Sequence, residues 1–217
     1  MQNGLTYLQI VVESKEQIAK AAEDLFLAYG VRSVTMDDIS KKLAISKKTI
    51  YQHYKDKDEI VCLVTERVME REGAQIDMIK ANANDVIHEL FLLSKYIREH
   101  GQSVNPSVLF DLQRYHRSAW EIYLRFKESV FLQSLISTLS RGKKEGFVRE
   151  NVDVEILSLL RLEEIQMAYD ADIFPRDKFN YKSVQWQLFD HFIHGILTRK
   201  GIETLKLYQE KRDSNEI

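Results

Sequence analysis

Helix breakers are scarce in this chain, and their scarcity limits its fold more than any other feature. The 217 residues include only two prolines and eight glycines, so long helices meet few interruptions. No run of alternating β-branched residues between turn signals predicts a strand. Apolar residues recur instead at helical spacing, as at Ile18, Ala22 and Phe26. The sequence therefore predicts an all-α fold of about nine helices.

Composition argues against several classes of protein. The one cysteine, Cys62, cannot form an intramolecular disulfide, which fits a reducing cytoplasm. No apolar stretch reaches the length of a membrane span, and the N-terminal residues lack the features of a signal peptide. No catalytic order, phosphate-binding loop or glycine fingerprint points to an enzyme, and His191 and His194 lack the carboxylate pattern of a helical metal site. We expect a cytoplasmic protein with no membrane contact, catalytic residue, metal or cofactor.

Charge is unevenly distributed along the chain. The net charge is −2, yet residues 41–57 contain one acid, Asp56, beside six lysines. These lysines are Lys41, Lys42, Lys47, Lys48, Lys55 and Lys57. A local cluster of this kind attracts phosphate even when the whole molecule is weakly acidic. The sequence indicates a basic N-terminal segment attached to an acidic body.

The residues around this cluster have the pattern of a helix-turn-helix unit. Ser14 and Gly30 are placed to begin and end a first helix. Thr35 can cap a second, short helix whose first turn is acidic, and Ser46 can cap a third. The chain turns between the last two helices at Ala44. Three short helices with a tight turn before the last form a helix-turn-helix.

The segment 35-TMDDISKKLAISKKTIYQHYKDKDEI-60 resembles the TetR family of bacterial transcription regulators. The rest of the chain matches the family only in the number and length of its helices. The resemblance implies a helix-turn-helix DNA-binding domain over residues 1–56, here called the head, and a regulatory, ligand-binding and dimerisation domain over residues 57–217. Ala44 and Lys48 both stand where glycine is common in the family. A left-handed alanine in the turn would cost roughly 1 kcal/mol.

The resemblance and the side-chain chemistry together indicate the DNA contacts. Lys47 and Lys48, near the start of the third helix, can reach guanine acceptors or phosphates. Thr35 and Lys57 are expected at phosphates, as the resemblance implies. The full set of expected DNA-contacting residues is Thr35, Ser46, Lys47, Lys48, Thr49, Tyr51, His53 and Lys57. The residues expected in the core of the head are Ile39, Leu43, Ile45, Ile50 and Tyr54.

The remaining helices are expected to form a homodimer and to bind an effector. Specific binding to a palindromic operator requires two heads. The resemblance implies an interface formed by the two last long helices, predicted over residues 153–172 and 181–198. The many apolar residues of the second of these helices favour such an interface over packing within one subunit. Side chains expected around a small-molecule pocket are Phe110, Tyr115, Trp120, Tyr123, Phe126 and Met167.

Three functions are compatible with the sequence. The first is a dimeric repressor that a small-molecule effector releases from a palindromic operator in double-stranded DNA. The second is an all-helical binding module whose head contacts a protein partner, which predicts no salt-dependent affinity for DNA. The third is an all-α enzyme, which predicts a metal or cofactor in the purified protein. We expect the first, because caps, turn, apolar spacing and lysine placement agree over one segment.

Overall fold

The computed structural model describes residues 2–101 and 104–213, with side chains described for residues 15–101 and 104–210. Within these ranges the regular elements are helices, apart from one isolated antiparallel bridge between Val148 and Leu197. The helices are α1 (Gln2–Tyr29), α2 (Met36–Leu43), α3 (Lys47–Tyr51), α4 (Lys57–Asn82), α5 (Val86–His100), α6 (Ser107–Tyr115), α7 (Arg117–Phe126), α8 (Gln133–Lys144), α9 (Val154–Met167), α10 (Tyr181–Ile196) and α11 (Arg199–Asp213). A π-helical turn, Lys127–Leu132, joins α7 to α8. The all-α prediction is confirmed. No described helix is both long enough and apolar enough to cross a membrane.

Helix α1 ends as predicted but begins earlier. Gly30 has a φ of 86°, and its N–H donates to the carbonyl of Phe26 at 2.9 Å, which closes the last turn. The prediction that Ser14 caps the start of α1 is wrong, because the helix begins at Gln2 and passes through this position. The segment before Ser14 contains no proline, and its one glycine lowers helix stability by only about 1 kcal/mol. Nothing in that segment therefore forces the helix to start at the serine.

The caps and the turn of the helix-turn-helix follow the predicted pattern. Thr35 forms a capping box: its Oγ1 accepts from the Asp38 N–H at 3.2 Å, and Asp38 Oδ2 accepts from the Thr35 N–H at 2.8 Å. Ser46 caps α3, since its Oγ accepts from the Thr49 N–H at 3.1 Å. Ala44, with φ 53° and ψ 36°, is the one residue other than glycine with a positive φ among those described. The turn therefore has the left-handed residue that family members usually supply with glycine.

One compact unit of the structure comprises Met1–Glu70 and Ser103–Leu124. Its buried core side chains are Ile18, Ala21, Ala22, Phe26, Val31, Val34, Met36, Ile39, Ile50, Tyr54, Ile60, Val61, Val64, Leu112 and Ala119. Of the residues expected in the core of the head, Ile39, Ile50 and Tyr54 are buried, and Leu43 and Ile45 pack against them. Packing thus groups α6 and most of α7 with the head. The division of the chain between residues 56 and 57 stays a prediction.

The second compact unit comprises Arg71–Gln102 and Arg125–Ile217. Its main core is built from α5, α8, α10 and α11 and from the segment that carries Phe147 and Val148. The apolar side of α10 lies within this core, where Phe189, Phe192 and Ile193 are buried. These residues are accounted for inside the subunit and no longer favour an interface with a partner.

Helix α9 has the opposite arrangement to α10. The residues that it buries are polar: Ser158, Arg161 and Glu164. The large hydrophobic residues that it exposes are Ile156, Leu159 and Leu160. A helix that exposes an apolar row while it buries polar side chains is not explained by packing in an isolated chain.

Candidate nucleic-acid interface

Helix α3 presents one polar, exposed face and one buried face. Lys47, Lys48 and Tyr51 are exposed, and Tyr51 has a relative solvent accessibility of 52%. Ile50 and Tyr54 are buried on the other side, and the Tyr54 hydroxyl donates to the Lys15 carbonyl at 3.0 Å. This anchor fixes α3 against α1, so the exposed face is held by a rigid support. Such support is needed for side chains that read a groove.

The two hydroxyls at the start of α3 are bonded to each other. Ser46 Oγ and Thr49 Oγ1 are 2.9 Å apart, and either can be the donor. Ser46 is exposed and Thr49 is half-buried. Because Ser46 also accepts from the Thr49 N–H, its first role is structural. The Ser46 residue is exposed, and its contact with DNA stays a prediction.

The two lysines on α3 differ in their surroundings. Lys47 Nζ is 3.0 Å from Asp37 Oδ1, and both side chains are about half exposed. Such a surface ion pair contributes only about 0–1 kcal/mol, so a phosphate can replace the carboxylate. Lys48 is exposed and has no ion pair with any residue in the described ranges. Its charge is therefore available to DNA without breaking an intramolecular contact.

Lys57, at the first position of α4, is held inside the chain rather than extended into solvent. Its Nζ donates to the Val31 carbonyl at 2.6 Å and lies 5.8 Å from the centre of the Phe26 ring. Burial lowers the pKa of Lys57 below its ordinary value, and the carboxylate of Asp111 opposes this shift. An ammonium has three N–H donors, so two remain for a phosphate while the first fixes the end of α1 to α4.

Thr35 and His53 flank the exposed face. Thr35 is exposed, and its hydroxyl donates to Asp38 Oδ2 at 2.6 Å. This bond, with the backbone bond from the same threonine, holds the pKa of Asp38 below its ordinary value. His53 is half-buried just after α3, and its N–H donates to the Ile50 carbonyl at 2.9 Å. The structure thus places all eight expected DNA-contacting residues in the helix-turn-helix or at the first position of α4.

Comparison with known proteins identifies the family of the head. Residues 18–62 match the family described as bacterial regulatory proteins, tetR family. The helix-turn-helix is therefore a TetR-family DNA-binding segment. The HTH-type transcriptional regulator YvaF of Bacillus subtilis is 23% identical over 168 residues, which are 76% of this chain and 86% of YvaF.

Solved structures show the same fold over most of this chain. A TetR-family transcriptional regulator from Agrobacterium tumefaciens has a TM-score of 0.74 at 16% identity, covering 87% of this chain and 100% of its own. A transcriptional regulator from Saccharomonospora viridis in complex with choline has a TM-score of 0.75 at 18% identity, with the same two coverages. The family match of the head and the similarity to curated regulators make this protein a DNA-binding transcriptional regulator, which is favoured over a module that binds a protein partner.

The residues expected around an effector pocket fall into separate groups in the structure. Phe110 and Tyr115 on α6 are 59% and 43% exposed, with ring centres 6.5 Å apart. Trp120 stacks on Tyr123 on α7, with ring centres 5.0 Å apart. The remaining two residues, Phe126 and Met167, are half-buried and belong to the second unit. The six residues are not gathered within one unit, and their role in binding an effector stays a prediction.

Sequence reasoning missed the polar residues that attach α6 to the head of this regulator. Asp111 is buried, and its Oδ2 accepts from the Arg32 N–H at 2.9 Å. The Asn105 N–H donates to the Leu27 carbonyl at 2.7 Å, and its side chain donates to the Ala28 carbonyl at 3.2 Å. The Asn105–Pro106 turn sequence is a local signal at this point of the chain. The contacts themselves join residues far apart in the chain, so no local pattern encodes them.

Proposed function

We propose that this regulator is a homodimeric repressor that binds a palindromic operator in the cytoplasm and leaves it when a small molecule binds. The exposed face of α3 carries the proposal, because Lys47, Lys48 and Tyr51 project from a helix that is packed against α1. One head of this size covers few base pairs. Two heads related by a two-fold axis would read two half-sites about one helical turn apart or a multiple of that distance.

The DNA contacts divide into reading and positioning roles. Lys47 and Lys48 would meet base edges or phosphates in the major groove, and the methyl group of Thr49 would suit a thymine. Tyr51 and His53 would hydrogen-bond phosphate oxygens on one side of the groove. The residues that would fix the opposite phosphates are Thr35, Ser46 and Lys57. Phosphate contacts of this kind fix the position of the protein on the duplex, whereas base contacts determine which DNA sequence it recognises.

The dimer interface would be formed by α9 and α10. Ile156, Leu159 and Leu160 expose an apolar row on α9. The exposed face of α10 is polar and includes His191 and His194. An apolar row rimmed by polar residues is the composition expected of an interface that buries α9 at its centre. In this arrangement α10 contributes its polar face, because its apolar face is already used inside the subunit.

The coupling between effector and DNA would pass through α4. This helix begins at Lys57 and continues for 26 residues, or roughly 39 Å, into the second unit. The Saccharomonospora viridis regulator in complex with choline supports a small-molecule effector for this fold. An effector acts only if it prefers one separation of the two heads over another. A tilt of α4 would change that separation and move the recognition helices out of register with successive major grooves.

Selection from random duplex DNA at two salt concentrations tests the proposal. We expect the full-length protein to retain one palindromic sequence, with weaker retention at higher salt. A Lys47→Ala/Tyr51→Ala variant should lose the site, because it removes one charge and one hydroxyl from the exposed face. Lys144→Ala, which removes an exposed lysine at the end of α8, is the matched control and should retain it. If a folded dimer enriches no sequence at low salt, the repressor proposal fails and a protein partner becomes the leading possibility.

A further inference from the structure

The second unit buries a group of polar side chains where α9 faces α10. Ser158 is fully buried and Arg161 is 4% exposed, while Glu164, one turn later, is also buried. On α10 the facing residues are Gln185, Phe189 and Phe192. Burying polar groups costs free energy unless they are hydrogen-bonded. The hydrogen bonds of this group therefore show whether it is a finished structural element.

The guanidinium of Arg161 makes few hydrogen bonds for a buried cation. Among the described residues its one side-chain hydrogen bond runs from Nη1 to Glu164 Oε2 at 3.3 Å, which is longer than usual. Its Cζ lies 5.6 Å from the ring centres of both Phe189 and Phe192. Burial lowers the pKa of Arg161, the charge of Arg98 acts in the same direction, and Glu164 opposes both. A guanidinium has five N–H donors, so this cation has capacity for another anion.

Two further buried polar atoms have no hydrogen-bond partner in the part of the chain that the structure describes. They are Ser158 Oγ, one turn before Arg161 on α9, and Gln185 Oε1. The orientation of the Gln185 amide is fixed, because its Nε2 donates to the Ile165 carbonyl at 3.0 Å and a carbonyl can only accept. A buried polar group left without a partner destabilises the fold, because it has lost its hydrogen bonds to water. These two groups flank Arg161 along α9, because Ser158 lies one turn before it and Gln185 contacts α9 one turn after it, at Ile165.

We propose that this cluster between α9 and α10 binds the carboxylate of a small molecule. The planar fork of Arg161 matches a carboxylate in a bidentate arrangement, and the Ser158 hydroxyl donates to the same group. Gln185 Oε1 accepts from an N–H or O–H elsewhere on the ligand. The rings of Phe189 and Phe192 supply an apolar wall for its body. A phosphate dianion is disfavoured because Glu164 already contributes one negative charge beside a single buried guanidinium.

This inference rests on the proposed function, since it gives the chemical class of the effector. Helix α9 carries the cluster on its inner side and the exposed row of Ile156, Leu159 and Leu160 on its outer side. A carboxylate bound to Arg161 changes the contacts on the inner side of α9. The effect reaches the proposed subunit interface because the same rigid helix forms both surfaces.

Nuclear magnetic resonance of arginine side chains tests the site in the full-length protein. The probes are acetate, hexanoate and benzoate, each compared with its neutral amide at matched millimolar concentrations. We expect at least one carboxylate to shift the Nε–Hε resonance of Arg161 saturably, while its amide does not. Arg161→Lys keeps the charge but loses the fork, and should weaken carboxylate binding at least tenfold in titration calorimetry, which replaces the lost Arg161 resonance as the readout for this variant. Arg199→Lys, at an exposed arginine on α11, is the matched control and should bind as the wild type does.

A second variant keeps the test valid if Arg161→Lys fails to fold. Ser158→Ala removes one hydroxyl and should weaken carboxylate binding about three- to tenfold. The proposal is overturned if no carboxylate saturates the resonance, if the amides bind equally well, or if only ordered water fills the cluster. Operator affinity is measured on the same samples without ligand. Operator binding without carboxylate binding rejects this site alone, whereas a folded dimer that binds no operator rejects the proposed function.

Discussion

Replacing Ala44 by glycine should stabilise the head, although glycine usually destabilises a folded chain. Ala44 has φ 53° and ψ 36°, and it closes α2 with two backbone bonds. Its N–H donates to the Lys41 carbonyl at 3.2 Å, and the Ile45 N–H donates to the Ser40 carbonyl at 3.0 Å. This pattern of bonds requires a left-handed residue after the helix, a position that glycine occupies without a steric penalty.

The expected gain in the stability of the head is the difference between a steric cost that alanine carries and an entropy cost that glycine carries. A left-handed residue with a Cβ costs about 1–2 kcal/mol relative to its right-handed form. Glycine lowers the stability by about 0.5–1 kcal/mol, because its backbone has more conformational freedom in the unfolded chain and loses it on folding. Ala44→Gly should therefore stabilise the head by about 0.5–1 kcal/mol. Native-state hydrogen exchange at the buried amide of Ile39 should slow about two- to fivefold, since 1.4 kcal/mol corresponds to a factor of ten.

A matched substitution separates backbone strain from a general effect of glycine. Ala28 is exposed in the last turn of α1, where the backbone is helical. Ala28→Gly should therefore lower the stability of the head by roughly 0.5 kcal/mol. If Ala44→Gly also lowered stability, or if both variants changed exchange in the same direction, strain at the turn would not be the cause.

Three further outcomes follow from particular contacts. The bonds from Thr35 lower the native pKa of Asp38. The contribution of Asp38 to stability is therefore complete above the ordinary carboxyl pKa and disappears as the pH falls through the native pKa. Asp38→Asn should lower the melting temperature at pH 7 but not in strong acid. Gly30→Ala should destabilise the protein by about 1–3 kcal/mol in chemical denaturation, because a residue with φ 86° would carry a Cβ in contact with α6. Leu159→Asp should convert the dimer to a monomer in sedimentation velocity, whereas Leu207→Asp, at an equally exposed leucine on α11, should leave the dimer intact.

Local sequence signals anticipated the helix-turn-helix well. Thr35, Ser46 and Gly30 act at the positions where capping chemistry placed them, because each satisfies backbone groups within a few residues of itself. Ala44 takes the left-handed conformation that its place in the turn required. Ser14 also has a side chain that can cap a helix, yet α1 passes through it. A cap marks a helix start only when the preceding chain cannot continue the helix.

Local sequence signals could not predict which side of α9 and of α10 packs inside the subunit. The apolar residues of α10 have helical spacing whether they face their own subunit or a partner, so the pattern alone could not assign Phe192 or Ile193 to the internal core. The burial of Arg161 was hidden because α9 has apolar residues on several sides and no clear inner face. Only the packed positions of α9 and α10 show that its polar residues point inward.

The salt dependence of operator binding tests the role of α3 most directly. The slope of log affinity against log salt concentration is measured for the wild type, Lys48→Ala and Lys144→Ala. Each neutralised phosphate contributes about 0.9 to this slope, and a dimer carries two copies of every residue, so Lys48→Ala should reduce the slope by about 2. Lys144→Ala removes the same charge from α8 and should leave the slope unchanged. Equal slopes for Lys48→Ala and the wild type, or the same loss in both variants, would show that the exposed face of α3 does not contact DNA.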